Sequence, residues 1–314
     1  MPTELNQRGI AGNTATGLLK ILALVFMLID HLGASVFGTV TELRIIGRMA
    51  FPLYCWCMVV GFCHTRSVPK YLLRLLLIGL VSQPLYMVAL NHPLTVYNIF
   101  LTLLLGLLGL WGLRSRRWLS HIWAPVLVLL AADWLSVSYG WYGVMLIWLL
   151  YAARTSRPAI AAVMIIYCLS WGTISPSMTV YEIGPFSLLP MRQWDIYKMI
   201  SPWLKLQSMA ILSLPLMLIR MPWKLRMPAW ISYALYPLHL ALLIVIQLLM
   251  DRPVHWEHLT QGWETICAAC TGVYQDVRYY VLNPLQVFED LWGWICARAE
   301  AVAEFFKAFW VGFE

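Results

Sequence analysis

The sequence predicts an all-α, polytopic integral membrane protein, a helical bundle of about nine transmembrane helices followed by C-terminal amphipathic helices. Hydrophobic residues make up 61% of the 314 residues, against about 45–50% in soluble domains. Charged residues make up 12%, against about 25%, which is too few to cover a soluble globule. Such an apolar chain is not disordered, and the 17 Trp and 15 Tyr residues are typical of membrane interfaces.

The apolar runs along the chain define the predicted spans. Several runs are short, so eight or ten spans remain as alternatives to nine. Inside a bilayer every backbone polar group needs a partner, and therefore the spans are predicted to be helices. The predicted spans are Gly17–Phe37, Leu43–Cys63, Lys70–Leu90, Tyr97–Leu113, Trp118–Val137, Tyr139–Ala153, Ala159–Ser175, Leu204–Ile219 and Ala229–Met250.

Basic residues between the spans predict the orientation. They precede the first span and then lie in alternate connections, whereas Asn91–Val96 contains none. By the positive-inside rule the N-terminus is cytoplasmic. Because topology explains these charges, the net charge of +7 does not predict a nucleic-acid partner. The basic residues are Arg8, Arg66, Lys70, Arg114, Arg116, Arg117, Arg154, Arg157, Arg220, Lys224 and Arg226.

The composition changes at Asp251, which divides the chain into a transmembrane bundle (1–250) and a tail (251–314). The tail has a net charge of −5 and the bundle +12. From Pro284 to Phe313 the apolar residues recur at helical spacing, which favours amphipathic helices on the bilayer surface or docked on the bundle. With a cytoplasmic N-terminus, nine spans would place the tail on the outer side of the membrane, and ten spans would place it on the cytoplasmic side.

Ionisable side chains inside the predicted spans indicate a functional site. Each costs about 2.5–3.5 kcal/mol near a helix centre on insertion scales. We expect them to converge on one polar cavity in the outer half of the bilayer, although for Asp133 alone a structural ion pair is favoured. They are Asp30, His31, Arg48, Asp133 and His239, and Asn98 begins the fourth span.

Side-chain chemistry suggests separate roles for the groups of the first two spans. Free imidazole has a pKa of about 6.5, so His31 is the predicted base. Arg48 suits an oxyanion, a carboxylate or a phosphate. Adjacent helix residues point in different directions, so Asp30 and His31 are not expected to form a dyad. Asp30 would instead offset Arg48 or orient His31 through an intermediate group.

Four basic residues lie near the predicted cytoplasmic face. Each of these residues alone is explained by membrane topology or by a long side chain that extends its charge to the membrane surface. Together they are candidates for binding a phosphate-rich cytoplasmic ligand. They are Arg66, Lys70, Arg74 and Arg114.

Cys267 and Cys270 form a lone C-x-x-C. No second pair or histidine at zinc-finger spacing follows, so no metal site is predicted. The chain also lacks three motifs of common enzyme classes. The absence of a phosphate loop argues against an ATPase, that of G-x-S-x-G against a serine hydrolase with this motif, and that of H-E-x-x-H against a zincin metalloprotease.

An ordered set of motifs runs through the predicted spans. The motifs are K-I-L-A-L-V-F-M-L-I-D-H-L-G at Lys20–Gly33, L-R-I-I-G-R-M-A-F-P-L-Y at Leu43–Tyr54, G-F-C-H-T-R-S-V-P-K-Y-L-L-R-L at Gly61–Leu75, S-Q-P-L-Y at Ser82–Tyr86, N-I-F-L-T-L-L-L-G at Asn98–Gly106 and Y-G-W-Y-G-V at Tyr139–Val144. This ordered set resembles the TraX family, which includes conjugative pilin acetylases and TrbP-type conjugal transfer proteins, and the resemblance covers about residues 17–250. Y-P-L-H at Tyr236–His239 is more loosely similar to multispan membrane acyltransferases.

The resemblance implies an acetyltransferase of the bacterial inner membrane that moves an acetyl group from acetyl-CoA to the N-terminal amine of a pilin subunit. Asp30, His31 and Arg48 match the family's polar positions, and other conjugation membrane proteins are expected partners beside the pilin and the bilayer. One departure is Ser138, where the family's pattern is expected to have aspartate before Tyr-Gly. Residues expected to contact the substrate are Asn98, Asp133, Tyr236 and His239, and those expected to bind acetyl-CoA are Arg66, Lys70, Arg74 and Arg114.

Two other functions fit the residues alone. Buried Asp, His and Arg residues are also used by proton-coupled transporters, although no clear internal repeat is present. A non-catalytic membrane subunit of a conjugation apparatus is the third alternative.

Overall fold

In the residues that it describes, the computed structural model of the chain has helices, their connections and one short pair of strands. Its helices are α1 (Thr16–His31), α2 (Thr41–Gly47), α3 (Ala50–His64), α4 (Val68–Leu90), α5 (Ile99–Ser115), α6 (Ser120–Trp134), α7 (Gly140–Ala153), α8 (Arg157–Ile174), α9 (Asp195–Ile200), α10 (Leu214–Leu218), α11 (Ala229–Leu249) and α12 (Glu257–Leu282). The strands β1 (Glu182–Ile183) and β2 (Phe186–Ser187) pair antiparallel.

The structure describes most, but not all, of the chain. Among the sequence predictions, Arg8, Arg116, Lys224, Arg226 and much of the tail after Asn283 lie outside the described residues. The described residues are 9–38, 40–115, 117–135, 137–174, 177–183, 186–187, 190, 193–221, 225, 228–283, 285–286, 289–290, 292–293, 296–297 and 300.

Five segments of the described chain are long and apolar enough to cross a membrane, which confirms the helical membrane class. The predicted number of nine spans is not confirmed, because the remaining apolar helices are shorter. At 17 residues, α5 is about 25 Å long, whereas a bilayer core is about 30 Å thick. The five segments are Thr16–Val36, Thr41–His64, Val68–Leu90, Arg157–Ile174 and Ile231–Leu249, and the shorter ones are Ile99–Ser115, Ser120–Trp134, Gly140–Ala153 and Leu206–Leu218.

The first two spans are irregular near their ionisable residues. After His31 the first helix widens into a π-helical turn over Leu32–Val36, a form that is common at functional sites. The second span breaks at Arg48 between α2 and α3. Pro52 has no N–H to donate to the carbonyl of Arg48, so the hydrogen-bond ladder is interrupted at that point.

Six basic residues lie toward one end of the bundle, away from Arg44 and Arg48, and we call this the cationic end (Arg66, Lys70, Arg74, Arg114, Arg154 and Arg157). The segment before α1 lies there. The backbone N–H of Ala11 donates to the carbonyl of Arg154 at 2.8 Å, and the Arg157 guanidinium donates to the carbonyl of Ala11 at 3.1 Å.

Four connections meet at the opposite end, called the cavity end: those after α4, α6, α8 and α11. Tyr97 and Val137 form a backbone bridge there. The backbone N–H of His255 donates to the carbonyl of Val88 at 3.4 Å. Between the two ends lies the apolar core, with Trp56, Phe51 and other side chains fully buried.

The chain forms two compact units, residues up to Leu259 and residues from Thr260. In the second unit α12 continues to Leu282, and most of its described side chains are exposed, including Trp263, Val273 and Val277. How the tail meets the membrane stays a prediction.

Candidate functional site

A cavity of about 890 Å³ opens at the cavity end. Helices and connections that are far apart in sequence contribute to its wall. Its polar and aromatic lining residues are Asp30, His31, Ser35, Arg44, Arg48, Tyr86, Asn91, His92, Ser138, Tyr139, Tyr142, Trp171, Ser177, Gln207, Tyr236, Gln247 and His255.

A charged cluster forms part of this wall. The Asp30 carboxylate accepts hydrogen bonds through the same oxygen from Arg48 and from Arg44, whose Nη1 lies 3.2 Å away. The side chains of Asp30, Arg48 and Arg44 are 8%, 15% and 23% exposed. With two guanidinium groups and one carboxylate, the cluster carries excess positive charge.

Two polar atoms of the cluster make no hydrogen bond within the described part of the chain. They are the second carboxylate oxygen of Asp30 and the Nε–H of Arg48, both buried. A buried donor without a partner costs about 1–3 kcal/mol. Because Arg48 lines the cavity, its guanidinium is the candidate partner for a ligand oxygen, although the Nε atom itself is buried.

Helix geometry explains why both arginines reach one carboxylate. Arg44 and Arg48 are four residues apart, which places them on one face of the segment that begins with α2. Gly47 lies between them, and its Cα packs directly on Asp30. A Cβ built at Gly47 would lie 2.2 Å from the Cβ of Asp30.

Replacing Gly47 with alanine should lower the free energy of unfolding by about 1–3 kcal/mol, because the added methyl group forces α1 and α2 apart. Detergent-solubilised protein can be titrated with SDS to measure this. Gly272→Ala is the matched control, since a Cβ there meets nothing within 4 Å and alanine favours a helix by about 1 kcal/mol. Equal stabilities for wild type and Gly47→Ala would contradict the close contact.

His31 lies beside the cluster without a hydrogen bond to Asp30. Its Nδ1 is 4.0 Å from the nearer carboxylate oxygen, which is too long for such a bond. Its ring stacks on that of His239, with centroids 5.6 Å apart and planes 14° apart. Tyr236 packs edge-on against His239, with ring centroids 4.8 Å apart. The Y-P-L-H motif therefore packs against the His31 ring through His239.

Three residues predicted to contact the substrate, Asn98, Asp133 and His239, are not among the residues that line this cavity; His239 is buried behind the His31 ring. Asn98 donates to the Gly79 carbonyl at 2.7 Å and to Gln83 at 3.0 Å, and it accepts from the N–H of Phe100 at 3.0 Å. Both of its amide hydrogens are thus engaged in holding the start of α5, so it has no donor left for an oxyanion. Asp133 is exposed near the end of α6.

The predicted phosphate-binding residues lie away from the cavity. Arg66, Lys70 and Arg74 are exposed around the start of α4. Arg114 lies over the Phe62 ring at 5.5 Å. None of the four lines the cavity, so the two sets of predicted site residues occupy separate parts of the bundle.

Several residues that line the cavity were not predicted from the sequence. Arg44 carries a usable signal, because it is four residues before Arg48 in the same motif. Tyr139 begins the motif Y-G-W-Y-G-V, whereas Gln207 and Gln247 carry no signal, since a polar residue in an apolar helix has many ordinary explanations.

At the rim of the cavity, burial lowers the pKa of His92 from its usual value, and the nearby His258 lowers it further.

Comparisons with known proteins place this site within a family. The family model described as "TraX protein" matches residues 15–247. The chain is 29% identical over 202 residues to the "Probable fimbrial assembly protein FimC, serogroup H1" of Dichelobacter nodosus, which covers 57% of this chain and 82% of that protein.

A second relative is an uncharacterized protein of Rickettsia prowazekii (strain Madrid E), 29% identical over 129 residues. That match covers 39% of this chain and 49% of the relative, so the chain spans about half of its length. No solved structure matches the chain. Because the family model covers well over half of the sequence and includes Asp30, His31, Arg44 and Arg48, the chain belongs to the TraX family.

Proposed function

We propose that this protein is a membrane-embedded acetyltransferase that acts in pilus biogenesis at the bacterial inner membrane. It would move an acetyl group from acetyl-CoA to the N-terminal amine of a pilin subunit. The observation that carries the proposal is the buried pair of arginines on Asp30, placed beside His31 in one cavity. The fimbrial assembly relative supports the connection with pili.

The residues of the cavity suit the proton and charge changes of this reaction. The amine nitrogen forms a bond to the acetyl carbon, the carbon–sulfur bond breaks, and the nitrogen loses a proton. His31 accepts that proton as general base. The guanidinium of Arg48 stabilises the negative charge that develops on the acetyl oxygen.

Asp30 and His239 act as positioning residues. Asp30 holds both arginines in one orientation and offsets part of their charge. The flat stack on His239 fixes the plane of the His31 imidazole, which directs its nitrogen without adding a competing hydrogen bond. Tyr139 and Trp171 form an aromatic part of the same cavity wall.

Acetyl-CoA would supply an activated acetyl group, and the chain offers matching features at two places. The cavity of about 890 Å³ is large enough for an acyl thioester. The guanidinium and ammonium groups of Arg66, Lys70, Arg74 and Arg114 suit phosphates. In this proposal the phosphates bind at the cationic end, facing the cytoplasm, and the acetyl group reaches His31. Because the apolar core separates the two ends, a path for the pantetheine arm would have to open along α3, which is about 22 Å long.

Replacing Arg66, Lys70 and Arg74 together with glutamine should raise the KM for acetyl-CoA about tenfold or more, with little change in kcat. Charge-assisted hydrogen bonds contribute about 1.5–3 kcal/mol each, and 1.4 kcal/mol corresponds to a factor of ten. Steady-state kinetics at varied acetyl-CoA concentration gives the two constants separately.

Lys198→Gln is the control for this triple variant, because Lys198 is exposed and pairs with Asp195 away from the cationic end. Cysteine-accessibility mapping must show the same topology for every variant, since these residues also set orientation. An unchanged KM for acetyl-CoA would contradict phosphate binding by the cationic end.

A direct assay tests the proposed activity. Purified protein in lipid nanodiscs is mixed with acetyl-CoA and a peptide that carries a pilin N-terminus, and free thiol release is followed. Release that requires both the peptide amine and the protein supports the transferase. A transporter or a non-catalytic subunit would release none, and an N-terminally blocked peptide is the control.

A further inference from the structure

A group of metal-ligating side chains lies at the rim of the cavity, outside the part of the chain that the TraX model matches. His255, Glu257 and His258 each offer a ligand atom, and these atoms lie within 4.8 Å of one another. His255 also lines the cavity. The three residues fall in the connection after α11 and in the first turn of α12.

The distances within this group are close to those of a metal site. Zinc bonds of about 2.0–2.1 Å in a tetrahedron place neighbouring ligand atoms about 3.3 Å apart. The Nδ1 of His255 and a carboxylate oxygen of Glu257 are 3.0 Å apart in a hydrogen bond that a metal ion would replace. The ligand atom of His258 lies within 4.8 Å of the other two, so metal binding would require a small side-chain rotation to close this gap.

The hydrogen bonds of His258 prepare one ring nitrogen for a metal. Its Nε2 lies 2.7 Å from the amide oxygen of Asn91, and that oxygen can only accept, so Nε2 carries the proton. Nδ1 then keeps its lone pair, and it makes no hydrogen bond within the described chain. A metal-ligating histidine typically donates its other N–H to such an oxygen, which fixes the tautomer.

The backbone of Asn91 holds this partner in place. Asn91 ends α4 in the left-handed conformation, with φ of 56°. Asparagine tolerates that conformation better than most residues. The end of α4 and the start of α12 are thereby joined through one hydrogen bond on the side of the cavity.

We propose that His255, Glu257 and His258 bind one Zn²⁺ ion at the rim of the cavity, with Asn91 as the outer-shell partner of His258. Two histidines and one glutamate with an open fourth position form a ligand set that zinc uses in proteins. The ion would fix the segment after α11 against the end of α4. This proposal does not depend on acetyl transfer.

Zinc binding can be measured directly on the full chain. The protein is purified with a non-histidine tag, stripped with a chelator, dialysed and titrated with Zn²⁺ against a chromophoric competitor. We expect about one ion per chain. His258→Ala and Glu257→Gln should each weaken binding about tenfold or more, and Asn91→Gly, which keeps the backbone conformation, about tenfold through the lost outer-shell bond.

Controls separate this site from other ligands of the chain. His121→Ala and Glu264→Gln remove the same residue types elsewhere and should leave the affinity unchanged. Every variant is made in a Cys267→Ser and Cys270→Ser background, because both exposed thiols also bind zinc. Two results would overturn the proposal. One is loss of zinc binding in the protein that carries only Cys267→Ser and Cys270→Ser, and the other is an unchanged zinc affinity in the His258→Ala and Glu257→Gln variants.

Discussion

Replacing His31 with alanine should reduce acetyl transfer by about 100-fold or more, because a positioned base contributes about 10²–10⁴-fold. The loss should fall on kcat, since the cationic end and the arginine cluster remain intact. The protein should still insert and accumulate, as His31 makes no hydrogen bond to Asp30 that folding would require. Initial rates at saturating acetyl-CoA give the comparison.

Two variants separate the chemistry of His31 from its packing. His239→Phe keeps a ring stacked on His31 and should retain most of the activity, whereas His31→Phe should not. His121→Ala removes a histidine outside the cavity lining and serves as the general control. Near-wild-type kcat in His31→Ala would remove His31 from the reaction, and a collapse in protein level would make its role structural.

Replacing Asp30 with asparagine should lower the free energy of unfolding by about 3–5 kcal/mol. The substitution leaves two largely buried guanidinium groups without their carboxylate. Removing one partner of a buried ion pair lowers the stability by this amount because the other charge stays buried and unpaired. Titration with SDS in mixed micelles measures the change. Adding Arg44→Gln to Asp30→Asn should recover part of the stability, because one of the two unpaired charges is then removed.

The chain contains a matched exposed pair for comparison. Asp195 and Lys198 are 2.9 Å apart, with side chains 95% and 63% exposed. Asp195→Asn should therefore change the stability by less than about 1 kcal/mol. If Asp30→Asn and Asp195→Asn had equal effects, the buried cluster would not be the stabilising feature that its geometry indicates.

The positions of the long helices could be predicted because apolar runs bounded by polar residues determine them. The predicted span Ala229–Met250 and the observed α11 differ by one residue at the C-terminal end. The predicted span Leu204–Ile219 is instead a 3₁₀-helix over Leu206–Ser213 that continues as α10. Hydrophobicity does not distinguish these helix types, and both bury apolar residues.

The candidate site was predictable only in part. Placing Asp30 opposite Arg48 followed from the cost of a lone charge in a bilayer, and the structure brings the two together. Asn98 holds the start of α5, a local role that an asparagine at a helix start also indicates. Gln207, Gln247 and His255 reach the cavity through tertiary packing, which one sequence does not encode in any local pattern.

The intact mass of a mature pilin coexpressed with this protein tests the proposed acetyl transfer directly. Wild-type protein should add the mass of one acetyl group to the pilin, and fragmentation should place that group on the N-terminal nitrogen. Pilin coexpressed with the His31→Ala variant should keep a free amine. A free N-terminal amine on every pilin made with accumulated wild-type protein would show that this protein does not acetylate it.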